Sequence, residues 1–512
     1  MLLRKNGDNL FAQWQQVVCF DTRSNLIFSR NMFDRIIGII DSANYYLWTY
    51  VVVTLLVACA LYFTLRLKGV QFGMIGEMVK LLTQSGNLAK DKEEAESVVS
   101  GNGLPKKRKH VNSFQAFAIS LASRVGTGNL AGVASAIFIG GPGAVFWMWL
   151  MAFLGSATAF VEATLAQIYK KRGADAFYGG PAYYMEQGLH KRWFGIIFAV
   201  LITMTFGLAN QMVQSNTLCT ALADTCHFNI VWVGIVLTVA TLIIIFGGVQ
   251  RISRFSAIIV PVMAVGFVII AIVVIALNIN IIPDIFRLIF SNAFGFDQAM
   301  GGAVGMAVLQ GVKRGLFSNE AGEGSAPNAA ATAHITHPVK QGLLQSLGVF
   351  TDTLLICTCT AFIVLIAGLY NGDADGIVLT TQSLEAEIGP VGRYFITAAI
   401  FFFAYSSIIG NYFYGETNIR FITKKPQAVF VFRLLTGGVV LAGTFMTLQE
   451  TFCIVDLLMG LMTICNLIAI TLLSKKTFVL LEDYKAQRKA GKDPEFHKSI
   501  LSEKDAKDIE CW

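Results

Sequence analysis

Val111 to Ile139 reads V-N-S-F-Q-A-F-A-I-S-L-A-S-R-V-G-T-G-N-L-A-G-V-A-S-A-I-F-I, an apolar run broken near its middle by Gly126-Thr127-Gly128-Asn129. About 20 apolar residues suffice to cross a bilayer as a helix. In hydrocarbon every backbone N–H and C=O needs a partner, so an interrupted helix survives only where protein or a cavity surrounds the break. A second interrupted run follows about half a chain later, G-V-K-R-G-L-F-S-N-E-A-G-E-G over residues 311–324. Paired discontinuous helices at corresponding positions are how secondary transporters build midplane sites for substrates and ions.

Composition points the same way, to an all-α integral membrane protein. Of 512 residues, 54% are hydrophobic and only 14% charged, against roughly 25% charged in soluble proteins. The 47 Gly suit closely packed membrane helices. The net charge of +7 is no nucleic-acid signal, because the basic residues fall in the connections between apolar runs. The nine Cys are scattered, mostly inside those runs, and read as small packing residues. His334 and His337, in H-I-T-H-P, are two candidate ligands where zinc takes three or four, so they read as a solvated loop. All six His lie at span ends, in loops or in tails, which leaves no nucleophile–base or metal constellation for an enzyme. The glycines at 126 and 128 lack the strand and βαβ unit of a dinucleotide loop, and no G-x-x-x-x-G-K-[ST] run occurs. No organic cofactor, nucleic acid or obligate protein partner is expected; the lipid bilayer and a small solute are.

Apolar runs give eleven spans: 45–66, 112–139, 143–169, 194–222, 229–247, 253–278, 297–333, 339–370, 392–419, 428–447 and 450–474. Without the first, ten remain, and the interrupted runs are the first and sixth of these, a five-plus-five plan. The chain then divides into an N-terminal extension (1–44), a leading helix (45–66), a basic connection (67–111), two five-helix repeats (112–278 and 297–474) and a charged tail (475–512). Basic residues crowd alternate connections: Lys106 to Lys109, then Lys170 to Arg172, Arg251 and Arg254, Lys340, and Arg420 to Lys425. The connections 223–228 and 371–391 carry none. This alternation puts the tail in the cytoplasm and the N-terminus outside. Residues 1–31 conflict with it, since Arg4, Lys5, Arg23 and Arg30 would lie outside. They are read as an upstream extension, with Met32 opening the lead into the first span.

An unwound stretch offers two opposite resources. The half-helix that follows presents free N–H groups and a positive dipole end, suited to a carboxylate. The freed carbonyls before it suit Na+ or an ammonium group. A zwitterionic amino acid beside a cation fits both. Ionisable groups inside spans are costly and face partners or cavities; Arg124, Glu162, Lys313, Arg314, Glu320, Glu323 and Asp352 qualify. Arg314 and Glu320 are expected to form a structural or gating ion pair, while Glu162 and Asp352 could accept protons. Polar clusters at 210–216 and 405–411 interrupt apolar helices. Adjacent Ser406 and Ser407, facing unwound carbonyls, would make a hard-oxygen cage for a small alkali cation.

S-L-A-S-R-V-G-T-G-N-L-A-G-V-A, G-G-P-G-A-V-F-W-M-W-L, G-V-K-R-G-L-F-S-N-E-A-G-E-G-S-A-P-N-A-A-A and the Y-F-Y-G-E after Asn411 resemble the alanine or glycine:cation symporter family, from about Tyr45 to Leu473. The resemblance implies a Na+-coupled amino-acid symporter of a bacterial or archaeal plasma (inner) membrane. It also implies the leucine-transporter-type inverted-repeat fold with one extra leading helix. By motif, Gly126, Thr127, Gly128 and Asn129 would meet the substrate, as would Gln214, Phe317, Ser318, Asn319, Ser407 and Gly410. Sodium would lie at Val125, Thr127, Ser406 and Ser407. Asn411 departs from the pattern, because alanine-transporting members typically place Trp there. A carboxamide frees on the order of a hundred Å3 and leaves a donor and an acceptor. Glutamine is therefore expected over alanine or glycine, with an alanine/glycine symporter or a proton-coupled carrier as the alternatives.

Overall fold

The computed structural model describes residues 35–87, 97–99, 105–107, 111–173, 176–295 and 301–512; the expectation about residues 1–31 lies outside them. Backbone that must satisfy itself in lipid forms helices, and the chain is helical almost throughout. Among the described residues, eight helices are long and apolar enough to cross a membrane. They are α1 (Arg35–Arg66), α5 (Ala144–Ile168), α7 (Arg192–Cys226), α9 (Gly248–Leu277), α13 (Pro338–Ala367), α15 (Pro390–Ile422), α16 (Pro426–Gly443) and α17 (Leu448–Lys489). A shorter apolar helix, α8 (Ile230–Ile245), lies between α7 and α9.

The first interrupted run is α3 (Ser113–Arg124) followed by α4 (Gly128–Gly140). The second is α11 (Gly301–Asn319), an irregular turn, and α12 (Pro327–Ala330). Short helices α2 (Ile75–Asn87), α6 (Pro181–Gln187), α10 (Ile282–Phe294) and α14 (Gly376–Ile388) fill the connections. Two hairpins are also present, β1 (Ser97–Val99) with β2 (Pro105–Lys107), and β3 (Lys171–Arg172) with β4 (Phe177–Tyr178).

Helix ends run further than the apolar runs suggest. α1 starts at Arg35, ahead of Tyr45, and its Trp48 indole donates to the Asp456 carbonyl at 3.0 Å, anchoring it on α17. α17 continues past Ser474 to Lys489, through part of what reads as tail. Two connections contain helices the span count passed over. α10 buries Ile285, Ile289 and Ala293, one residue per turn, against the start of α5 at Gly143. α14 is capped by Asp375, which also accepts the Ser135 hydroxyl at 2.7 Å, while Thr380 donates to the Leu130 carbonyl at 2.9 Å. That pair of bonds seats α14 on α4.

Glycines let the long helices touch. A Cβ on Gly342 of α13 would lie 2.2 Å from Thr164 Oγ1 of α5, and one on Gly415 of α15 would lie 3.0 Å from Gly207 of α7. Gly311 and Gly315, expected within the second break, sit inside α11 instead. A Cβ on Gly311 would meet the Ala144 carbonyl at 2.5 Å, so this glycine serves helix packing, not unwinding.

Candidate functional site: the junction of two interrupted helices

The first break is narrow. Only Val125 and Gly126 leave the helix, and Thr127 is already helical. Gly126 N–H finds Asn129 Oδ1 at 2.9 Å, and Thr127 N–H finds Gln214 Oε1 at 3.1 Å. On the other side, Ser407 Oγ donates to the freed carbonyls of Ala122 (2.9 Å) and Ser123 (3.2 Å). Two glycines are required by crowding. A Cβ at 126 would lie 2.1 Å from Ser407 Oγ, and one at 128 would lie 2.9 Å from the Phe317 ring. Thus α7, α11 and α15 all close on the backbone of this break.

The second break, 320–326, is wider and takes left-handed backbone at Glu320 (φ 55°), Gly322 (φ 97°) and Gly324 (φ 82°). Glycine adopts that conformation freely; Glu320 does not, and is held there. Its carboxylate accepts Ser123 Oγ at 2.6 Å and Ser325 Oγ at 2.5 Å. Phe317, Ser318 and Asn319, expected in unwound chain, form the last turn of α11 just before it.

One carboxylate joins the two breaks. Asp352 on α13 accepts Asn129 Nδ2 at 2.7 Å through one oxygen, and Ser318 Oγ at 2.7 Å and Thr353 Oγ1 at 3.0 Å through the other. Asn319 Nδ2 donates to Thr353 Oγ1 at 3.1 Å. The side chains of Asn129, Ser318 and Asn319 are therefore engaged with α13. Asp352 itself is fully buried and reads from sequence only as an intramembrane acid.

The expected Arg314–Glu320 pair does not form. Arg314 points its two terminal nitrogens at Asp456 of α17 (3.1 and 3.2 Å), and Lys313 Nζ joins them at 2.6 Å. Glu320 lies past the end of α11, where the turn carries its carboxylate to α3. The expected Ser406–Ser407 pair is divided as well. Ser406 Oγ bonds back to the Phe403 carbonyl (3.0 Å) and faces Met263 Sδ (3.6 Å) on α9, because adjacent helical residues point in different directions. Asp456 is not among the intramembrane ionisable residues expected above, although a lone acid in F-C-I-V-D-L-L-M is the same signal that marks Asp352.

Asn411 and Gly410 lie against α3. A Cβ at Gly410 would sit 2.9 Å from the Ser123 backbone nitrogen. The Asn411 carboxamide oxygen is 2.6 Å from Ser123 Oγ, and its Nδ2 is buried without a partner. Ser123 has one hydroxyl proton and two acceptors, Glu320 and Asn411. Turning the carboxamide lets Asn411 donate to Ser123 while Ser123 donates to Glu320. In either orientation one end of Asn411 is spent on Ser123 and the other is free. The Thr127 hydroxyl is also buried without a partner.

A second acidic group sits beside the wider break. Glu162 of α5 accepts Asn466 Nδ2 (2.8 Å) and Gly322 N–H (3.3 Å), and Asn466 in turn accepts the Tyr184 hydroxyl. Glu323 is fully buried nearby with both carboxylate oxygens unpartnered. His337 is no solvated loop residue. Its Nδ1 accepts Val339 N–H at 3.2 Å, capping α13, so Nε2 faces Asp483 (3.2 Å) as the donor. Burial drives the imidazole down to about 4, which keeps it neutral, and the Asp483 hydrogen bond opposes that shift only in part. His334 stacks on Phe177. Among the described residues no group of three His, Cys, Asp or Glu could hold a metal ion.

Two interrupted helices meeting around shared polar side chains, inside a sheath of apolar spans, define a multi-pass membrane transporter. The fold is shared with the transporter MhsT, solved in complex with L-phenylalanine, at a TM-score of 0.51 and 12% identity over 79% of this chain and 96% of that one. The same holds for a manganese transporter of Eremococcus coleocola, a mutant form, at 0.50 and 13% over 80% and 93%. These neighbours have the leucine-transporter-type fold. The chain belongs to the sodium:alanine symporter family, whose model matches residues 33–498. It is 49% identical to a probable sodium/glutamine symporter, GlnT, of Bacillus subtilis, over 94% of this chain and 97% of that protein. The amino-acid carrier protein AlsT of the same organism is 46% identical, over 93% and 97%. A sodium/proton-dependent alanine carrier protein of Bacillus sp. (strain PS3) is 38% identical, over 78% and 93%.

Proposed function

We propose that this protein imports a small neutral amino acid, glutamine before alanine or glycine, by Na+-coupled symport across a bacterial plasma membrane. The eight long helices, α8 and the two interrupted runs make eleven spanning segments in this reading, a leading helix and two inverted repeats of five. The C-terminus lies in the cytoplasm and the N-terminus outside. The bundle carrying the interrupted helices rocks against the remaining helices, and Na+ and substrate favour the same occluded state, which is what couples them.

The observation that carries the reading is the convergence of both breaks on one buried polar junction, with Thr127, Gln214, Ser407 and Asn411 around Gly126 and Gly128. The amino-acid carboxylate belongs at the N–H groups that open α4. Na+ belongs among the carbonyls before the break (Ala122 to Val125) with the Ser407 hydroxyl, which now occupies two of them. The partnerless end of Asn411 supports glutamine, since a side-chain carboxamide would supply the hydrogen bond that alanine cannot. The name of the 49% identical relative supports it independently.

Uptake of labelled glutamine and alanine into proteoliposomes, with an inward Na+ gradient or with K+ in its place, tests this. Na+-dependent glutamine uptake barely inhibited by alanine is expected, and Asn411→Trp should shift preference toward alanine. Alanine uptake with glutamine inert would overturn the substrate, and uptake indifferent to Na+ would overturn the coupling.

A further inference from the structure

Beyond Lys489 the chain doubles back over the face where α3 begins and α12 ends. Phe496, Leu501 and Ile509 are buried in what reads from sequence as charged tail. Phe496 N–H donates to the Thr336 carbonyl at 2.9 Å, and Thr336 Oγ1 donates to the Pro494 carbonyl at 2.9 Å. Trp512 donates its indole N–H to the Gln167 carbonyl at 2.9 Å, and Lys170 Nζ lies 4.5 Å from the Trp512 ring centroid. Ion pairs Lys340–Asp493 (2.8 Å) and Lys476–Asp505 (2.9 Å) stand along the same path.

The surface beneath is the place where the interrupted helices are tied at their outer ends. Lys170 Nζ donates to the Ala333 carbonyl at 3.0 Å and to Gln167 Oε1 at 2.8 Å, and Gln167 Nε2 bonds the carbonyls of Ala330 and Ala333. His334 N–H then donates to the Val111 carbonyl at 3.0 Å. The exit of the second interrupted helix is thus fixed to the end of α5 and to the entry of the first, and Trp512 sits on that hub. Opening this face means separating those ends, and the folded-back segment spans them.

We propose that residues 493–512 are a latch: docked, they hold the ends of both interrupted helices closed on this face, and they must lift for it to open. The inference rests on the alternating-access reading above, which makes this the cytoplasmic face. A locked latch then blocks transport, and a missing latch lets the face open more often.

Two measurements test it. In the first, Ala330→Cys, buried at the exit of α12, is labelled with a membrane-impermeant maleimide in inside-out vesicles, in a chain otherwise free of cysteine. The full-length chain is compared with one stopped after Lys492. At least fivefold faster labelling of the shortened chain is expected; equal rates overturn the latch whatever the protein transports. In the second, Lys171→Cys and Glu510→Cys, whose side chains pair at 3.6 Å, are joined by a short bis-maleimide with Cys511→Ser. Na+-driven glutamine uptake should fall at least tenfold, and undiminished uptake after complete cross-linking overturns the latch even if the shortened chain fails to fold. Faster labelling together with no Na+-driven uptake by the full-length chain would uphold the latch and overturn the symport reading instead.

Discussion

Asp352 accepts the carboxamide N–H of Asn129 at 2.7 Å, and through this bond the first interrupted helix is fastened to α13. The other Asp352 oxygen takes Ser318, from the second interrupted helix, so one carboxylate registers both breaks. A group that only filled space would not gather donors from two separate helices. Asp352 fixes the backbone of both breaks relative to α13.

Asp352→Asn keeps the shape but removes the acceptor oxygen that takes the Ser318 and Thr353 hydroxyl protons, or, turned over, sets a donor against Asn129. A buried donor left unpaired costs about 1–3 kcal/mol. We expect a lower melting temperature in detergent and at least a tenfold loss of Na+-driven uptake. Ser318→Ala should be milder in both, because Asn129 and Thr353 still hold Asp352. Equal effects from the two substitutions would argue against Asp352 as the shared anchor.

Asp456 answers two cations, Lys313 and Arg314, and the three sit on α11 and α17. Removing the acid leaves Arg314 buried and unpaired, with half-buried Lys313 beside it, a loss of roughly 3–5 kcal/mol. Lys313→Met leaves the Arg314–Asp456 pair intact and should cost only on the order of 1 kcal/mol. Thermal unfolding of Asp456→Ala and Lys313→Met, side by side, checks the asymmetry; similar losses would show that Lys313 carries the contact.

Glu320 and Glu323 are three residues apart yet predict opposite outcomes. Glu320 accepts two serine hydroxyls; Glu320→Met leaves Ser123 with Asn411 but strands Ser325, and should destabilise by about 1–3 kcal/mol. The Glu323 carboxyl has no hydrogen bond and faces the charges of Glu320 and Glu162, with Arg124 the compensating cation. Glu323→Met should therefore be neutral or stabilising by on the order of 1 kcal/mol. Melting curves of the two variants decide it, and a lower melting temperature for Glu323→Met would mean that its carboxyl is satisfied in the folded protein.

The large outline was legible because lipid leaves few options. Length, hydropathy and the positions of Gly126 and Gly128 were enough to locate spanning helices and the first break. What stayed hidden were choices made in three dimensions. Gly311 and Gly315 look like the glycines of an unwound stretch, and only the neighbouring α5 shows that they are packing surfaces. Arg314 and Glu320, six apart, look like a pair until the helix ends between them at Asn319. Ser406 and Ser407 look like one donor set, yet one faces α9 and the other α3. The tail looks solvated because its charges are conspicuous, whereas Phe496, Leu501, Ile509 and Trp512, spaced without period, are what dock it.

Lys170 gives the docked segment a pH dependence with a definite sign. Its amine is buried at the end of α5, and burial holds it down to about 7 from an ordinary lysine value; Cys511 opposes the shift and Arg172 reinforces it. Lifting the segment exposes the amine and lets its affinity for protons rise, so the lifted state binds more protons than the docked one. Docking is then favoured as pH rises through about 7 and weakened below it, even though the charged amine gains some attraction from the Phe177 and Trp512 rings, each 4.5 Å away. Release of the C-terminal segment by trypsin should be several-fold faster at pH 6 than at pH 8, after correction with a peptide substrate for the protease's own pH profile. Lys170→Met should abolish that difference, and a variant that retained it would show that Lys170 is not the sensor.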